Sequence, residues 1–237
     1  METWQKNQLR EMQFINSGRA LFNKISAWSA ELGFEFCSFA IRTPIPISNP
    51  TGVAITNYPD ALQHAYQNAN YVGIDPMVHH ALSAVTMQTW TDDRFSRVPE
   101  VWHEARTAGL NFGVSQPTRG THGLIGLLSL SRHDPAISEA ELEDKKHKLL
   151  WLANAAHQGL SPYLVPDFIS VVEAKLTERE LSVLRWTAEG KTSAEIADII
   201  KIKERTVNFH INNAVAKLGT TNRTAATVQA AMLGLLE

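Results

Sequence analysis

The hydrophobic and polar positions fall into two textures. In the first half, short runs rich in aliphatic, aromatic and β-branched residues cover Phe34–Arg42, Val53–Tyr58, Gln88–Thr91, Phe112–Thr118 and Leu124–Arg132. Gly, Pro, Asn or Asp bounds each, which predicts five strands. Around them, apolar residues recur at helical spacing over Asn7–Glu31, Pro59–Gln67, Pro76–Ser83 and Glu100–Ala108. Ser138 with Glu141 has capping-box spacing and opens a long helix to about Leu160. The expectation for residues 1–164 is an α/β/α sandwich around a roughly five-stranded, mostly antiparallel sheet. From Leu176 onward proline disappears and the pattern is helical throughout. Residues 165–175, around Pro166 and Asp167, read as a linker, and 176–237 as an all-α domain. The fold class is α+β.

The second texture is the sharper one. Thr177 with Glu180 and Thr192 with Glu195 are both spaced as capping boxes, and Gly190 stands where a helix-terminating glycine belongs. A short helix, Ser193–Ile200, gives way to a turn at Lys201–Lys203, a third helix runs from about Glu204 to Leu218, and Asn222 caps a fourth that ends near Leu236. This is the helix-turn-helix shape. At about 100° per residue, Val207, Ile211, Ala214 and Leu218 form one stripe, read as buried. Arg205, Asn208, Phe209, Asn212 and Ala216 lie opposite. Arg and Asn are residue types that read base edges in the major groove. Lys191, Lys201, Lys203, Lys217 and Arg223 stand at helix ends or turns, where phosphates are within reach. On pattern alone, a plain helical bundle with a solvated polar face remains the alternative.

Composition narrows the class. The chain has 237 residues, 44% of them hydrophobic and 19% charged, with net charge −2, so any nucleic-acid contact must come from a local patch. Residues from Leu176 on carry 8 Lys/Arg and 7 Asp/Glu, against 14 and 17 before them, a difference too small to assign function. The single cysteine, Cys37, has no internal partner for a disulfide, consistent with a reducing compartment. No apolar run reaches the roughly 18–20 residues that cross a bilayer, and Met1–Lys6 lacks a signal-peptide core. A cytoplasmic protein with no membrane partner is expected.

Two resemblances follow from the residues. The Thr177-x-Arg179-Glu180 opening, Trp186, Gly190-Lys191-Thr192, Glu195-Ile196-Ala197, Thr206-Val207, Lys217-Leu218 and Asn222-Arg223 closely resemble the DNA-binding domain of LuxR-type transcription regulators. That resemblance implies base contacts from Asn208 and Asn212, with Arg205, Thr206 and Phe209 close by. Lys203 departs from the Ser or Thr usual at that cap, losing a side-chain hydrogen bond of about 1 kcal/mol and adding a cation. Over roughly residues 20–160, Asn57-Tyr58-Pro59, Tyr66, Asp75-Pro76, Trp90, Trp102-x-Glu104-Ala105 and Gly113 resemble the autoinducer-binding domain of acyl-homoserine-lactone receptors. By that resemblance Asp75 accepts the ligand N–H, Tyr58 donates to the amide carbonyl, and Tyr66, Trp90 and Trp102 belong to the pocket. Ser38 and Ser129, on candidate strands, offer further hydroxyls. Relatives carry Trp four residues after the pocket Tyr, where its indole donates to the lactone carbonyl; here that position is Leu62, which has no donor.

Together the resemblances imply a ligand-responsive regulator of quorum sensing. It would bind an N-acyl-homoserine lactone or related acyl signal, and a twofold-symmetric double-stranded DNA operator, as a homodimer without further cofactor. Two alternatives stand beside it: a ligand-independent regulator with a degenerate pocket, and an enzyme that processes an acyl compound. His79-His80 lacks a third metal ligand at supporting spacing. Gly113-Val114-Ser115-Gln116-Pro117 is only half of a nucleophile elbow. No catalytic or metal residue is expected, and Cys37 reads as buried and inert.

Overall fold

A computed structural model describes residues 3–172 and 176–236. Residues 173–175, the end of the expected linker, lie outside the described residues, as do 1–2 and 237. The chain divides into two compact units, one built from residues up to Leu164 and one containing Val165 onward together with Thr43–Thr51 and Thr121–Leu124.

The first unit opens with α1 (Thr3–Met12) and α2 (Gly18–Glu31), then β1 (Phe36–Arg42) and β2 (Gly52–Thr56). There follow α3 (Asp60–Asn68), α4 (Pro76–Ser83), β3 (Gln88–Thr89), α5 (Asp92–Phe95) and α6 (Pro99–Thr107). The unit ends with β4 (Phe112–Arg119), β5 (Ile125–Arg132) and the long α7 (Glu139–Leu164). All five expected strands form, in the order β2-β1-β5-β4-β3, and every pairing is antiparallel. Central β4 and β5 are buried on both faces over most of their length, whereas β1 alternates strictly, with Cys37, Phe39 and Ile41 fully buried. Phe39 meets the His157 ring of α7 edge-on, 6.1 Å between centroids. The even positions Ser38, Ala40 and Arg42 face the other side, into a cavity under α3, α4 and α6. A two-residue period thus lets one strand serve two interiors.

Three local expectations change. Asn7–Glu31 is two helices rather than one: Ser17 in extended backbone accepts from the Ala20 N–H and starts α2 afresh. At the start of α7 only half of the expected capping box forms. Ser138 Oγ accepts from the Glu141 N–H at 3.1 Å, but the Glu141 carboxylate turns to Arg132 (2.6 and 2.7 Å) and Lys145 (2.6 Å). Charge-assisted bidentate pairing with Arg132 outweighs a neutral backbone donor, and it holds the Glu141 carboxyl down at about 2. Inside the expected linker, Pro166–Val172 is helical, numbered α8.

The remaining helices of the second unit are α9 (Glu178–Ala188), α10 (Ser193–Ile200), α11 (Glu204–Lys217) and α12 (Arg223–Met232). Both capping boxes close, and Asn222 caps α12 through the Ala225 N–H at 2.9 Å. Gly190 adopts φ +84°, a conformation that favours glycine. Val183, Ile196, Ala197, Val207 and Ile211 form one core cluster, and Leu184, Ala214, Leu218, Ala226 and Ala230 another. The stripe read from α11 is therefore the buried one.

Candidate functional site

The cavity of the first unit measures about 390 Å³, within the range of small-molecule sites, roughly 300–1,000 Å³. It lies between the even-numbered face of β1, the middle of β5, and the helices α3, α4 and α6. Of the residues expected at a ligand site, Ser38, Tyr58, Leu62, Tyr66, Asp75, Trp90 and Ser129 all line it; Trp102 does not. Trp102 stands behind the wall, stacked on Phe95 (4.7 Å, 9° between planes), with its indole N–H donated to Asp92 at 2.6 Å. Phe95 is the lining member of that pair. Sequence spacing fixed the helix face of Trp102 but not which of two stacked rings comes first.

Among the described residues Asp75 is the only acid on the wall, and it is 8% exposed. One oxygen caps α4, accepting from the Met77 N–H at 2.7 Å; the other accepts from the Tyr66 hydroxyl. Burial raises its pKa above the ordinary carboxylate value, opposed by the hydrogen bonds from Tyr66 and the backbone N–H groups of Met77 and Val78. A carboxylate offers about four lone-pair sites, so two donors leave acceptor capacity for a third group. Tyr58 follows β2 and packs edge-on against Phe36, 6.4 Å between centroids. Burial, reinforced by Cys37 and Asp75, drives its phenol far above the usual range. Tyr58 therefore keeps its proton and presents a donor.

Beside Tyr58, three serines stand in register across neighbouring strands, Ser38 opposite Ser129 and Ser129 opposite Ser115. Trp90 donates its indole N–H to Ser115 Oγ at 2.9 Å, and Ser115 and Ser129 hydroxyls are 2.8 Å apart. The ring reaches this position only because Gly113 lies beneath it: a Cβ there would sit 2.5 Å from Trp90 carbons. Ser115 was not expected at the site. No signal in the sequence marks it, since its tie to Ser129 is a cross-strand pairing, and Gly113–Pro117 carries only the half elbow. That segment lies within β4, away from any strand-to-helix turn, and Ser115 bonds to Trp90 and Ser129 rather than to a histidine. The His79 and His80 rings engage the backbone carbonyls of Gly73 and Thr86, each at 2.8 Å. Arg42, also unanticipated, is the one permanently charged cation on the cavity wall among the described residues.

On α11, Arg205, Asn208, Phe209 and Asn212 are exposed, with Phe209 at 59%, whereas Thr206 is half-buried. The two asparagines differ. Asn208 Oδ1 accepts from Ser193 Oγ at 2.7 Å, which turns its NH₂ group outward; Asn212 makes no hydrogen bond to the described residues. Of the basic candidates, Lys203 is exposed at the start of α11 and Lys191 is half-buried. Two others brace the domain: Lys217 bonds to Glu180 at 2.8 Å, and Arg223 spans Thr187 (3.3 Å) and the Lys191 carbonyl (3.2 Å).

Comparison with known proteins matches both halves. Residues 17–160 fit the family model described as autoinducer binding domain, and residues 174–230 that of bacterial regulatory proteins, luxR family. The chain is 41% identical over 216 residues to transcriptional activator protein SolR of Ralstonia solanacearum, covering 91% of this chain and 92% of that one. It is 34% identical over 233 residues to the HTH-type quorum-sensing regulator RhlR of Pseudomonas aeruginosa, covering 98% and 96%. The solved structure of SdiA in complex with octanoyl-rac-glycerol superposes with a TM-score of 0.85 at 32% identity, covering 99% and 96%. These relatives are transcription regulators, which sets aside the enzyme reading. A small-molecule signal domain followed by a helix-turn-helix DNA-binding domain makes this chain a quorum-sensing transcription regulator of the luxR family.

Proposed function

We propose that the cavity holds an N-acyl-homoserine lactone or a closely related acyl signal, and that two chains pair as a homodimer on a twofold-symmetric operator in the cytoplasm. The observation that carries the ligand reading is the polar arrangement on an otherwise apolar wall. Asp75 offers one acceptor for an amide N–H, and Tyr58 with Ser38 and Ser129 offers donors for an amide carbonyl. Apolar side chains such as Val53, Ala54 and Leu127 are left for an acyl tail. Each buried polar ligand atom without a partner costs roughly 1–3 kcal/mol, so this layout selects an amide-bearing acyl chain. The octanoyl group seen with SdiA supports an acyl occupant. A ligand-independent regulator with a degenerate pocket would fill the space with its own side chains, and a cavity of about 390 Å³ with a buried acid on its wall weighs against it.

Binding stabilises the fold by mass action, as RT ln(1 + [L]/Kd), and in the proposed dimer two α11 helices meet the major groove about one DNA turn, ~34 Å, apart. Mass spectrometry of small molecules extracted from the purified, folded protein should detect an acyl amide. Folded, operator-binding protein that releases none would overturn the ligand reading. For the DNA reading, Asn212 is the residue proposed to pair with adenine in bidentate fashion, because its carbonyl oxygen and NH₂ are both unoccupied. Asn212→Ala should cost about 1–3 kcal/mol of operator discrimination. A gel-shift series across base-substituted operators checks it, and an unchanged preference would remove the assignment.

A further inference from the structure

The face of α11 turned away from the core carries one side chain that hydrogen bonding does not explain. Arg205, Asn208 and Asn212 are polar and exposed, and in their midst Phe209 is exposed as well, at 59%. Among the described residues it is the one large apolar side chain exposed on α11. Phe209 belongs to neither core cluster of the helical domain, and its ring meets that of the adjacent His210 edge-on, 5.7 Å between centroids. A lone apolar residue on a surface is ordinary. This one stands in the second turn of the helix that a helix-turn-helix domain lays in the major groove, where the N-terminal residues meet base edges.

Of the groups that base pairs show in the major groove, the C5-methyl of thymine is the apolar one. Resting on the operator reading above, we propose that Phe209 reads a thymine by packing its ring against that methyl. Cytosine in the same place would bring an N4 amino group and no methyl, and the ring has no acceptor for it. Phe209 and Asn212 are three residues apart, about 4.5 Å along the helix axis, close to the 3.4 Å between successive bases of one strand. The thymine therefore lies about one base pair from the adenine assigned to Asn212, which places a short A·T core in each half-site.

Replacing thymine by uracil removes the methyl and nothing else. The full chain, with N-octanoyl-homoserine lactone present, is used to enrich a duplex from random-sequence DNA, and each thymine of one half-site is then exchanged in turn for deoxyuridine. A methyl packed on a ring is comparable with a buried CH₂, so one exchange should weaken binding about three- to fivefold. Phe209→Ala should bind the thymine duplex more weakly and no longer distinguish it from that uracil duplex. Alanine suits an exposed helix position, and an unchanged melting curve checks that the variant folds. If no exchange weakens the wild-type protein, or if Phe209→Ala keeps the full discrimination, the inference falls while the operator reading stands. Failure to enrich any sequence would overturn the operator reading itself.

Discussion

Asp75→Asn should lower affinity for an amide-bearing acyl ligand by roughly tenfold to a hundredfold, because a hydrogen bond to a charged acceptor is worth about 1.5–3 kcal/mol. The substitution is chosen to spare the fold. Asparagine is a good N-cap, so its Oδ1 still accepts from the Met77 N–H that begins α4. Its NH₂ faces the Tyr66 hydroxyl, which rotates to accept. What is lost is the negative charge and the second oxygen that an incoming N–H would use. Titration with N-octanoyl-homoserine lactone gives the affinity, and thermal melting of the unliganded protein monitors the fold. Unchanged affinity in a variant that melts normally would remove Asp75 from the binding role.

The largest expected effect on stability lies at Glu180. This carboxylate is 3% exposed, closes the capping box of α9 by accepting from the Thr177 N–H at 2.8 Å, and takes the Lys217 ammonium at 2.8 Å. Glu180→Ala removes both interactions and leaves the Thr177 N–H at the start of α9 without its side-chain acceptor. The cost should be about 2–3 kcal/mol, a large share of what a domain of this size holds. Melting of the helical domain and hydrogen exchange at the α9 amides should both report it, while ligand affinity stays unchanged. Wild-type melting would sink the assignment. The pH dependence has a definite sign. Burial works to raise the Glu180 pKa, but the Lys217 ammonium and the Thr177 N–H outweigh it, and the net shift is downward. A depressed folded-state pKa means the stabilisation is complete above the unfolded carboxylate range and is lost as pH falls through the folded value. Acid should therefore loosen the helical domain, and Glu180→Gln should flatten that part of the profile.

Much of the architecture was readable because its periods are clean. The five strands follow from runs of two-residue alternation or continuous burial, and the buried stripe of α11 from spacing near 3.6. The break between α1 and α2 was missed although Asn16-Ser17-Gly18 carries its signal; helical periodicity on either side of the cap hid it. At the cavity, Asp75, Tyr58 and Tyr66 were legible only through the resemblance to the autoinducer-binding domain, and all three line the cavity. Trp102 and Ser115 both stand behind the wall, against Phe95 and Trp90, a placement set by stacking order and cross-strand register, which are three-dimensional facts. The bracing of Lys217 and Arg223 was likewise invisible, since their partners lie 30 or more residues away in sequence.

The alternation of β1 has a consequence for how such a receptor changes over generations. Cys37 and Phe39 are locked into the solid side of the sheet, while Ser38 and Ala40 look into the hollow, which Ile41 and Arg42 both reach at the end of the strand. Neighbouring codons are thus under separate constraints: one set answers to foldability, the other to chemical taste. Tolerance to substitution should flip with each step from Cys37 to Ala40, so that a lineage can retune the molecule it hears through Ser38 and Ala40 without disturbing Cys37 and Phe39.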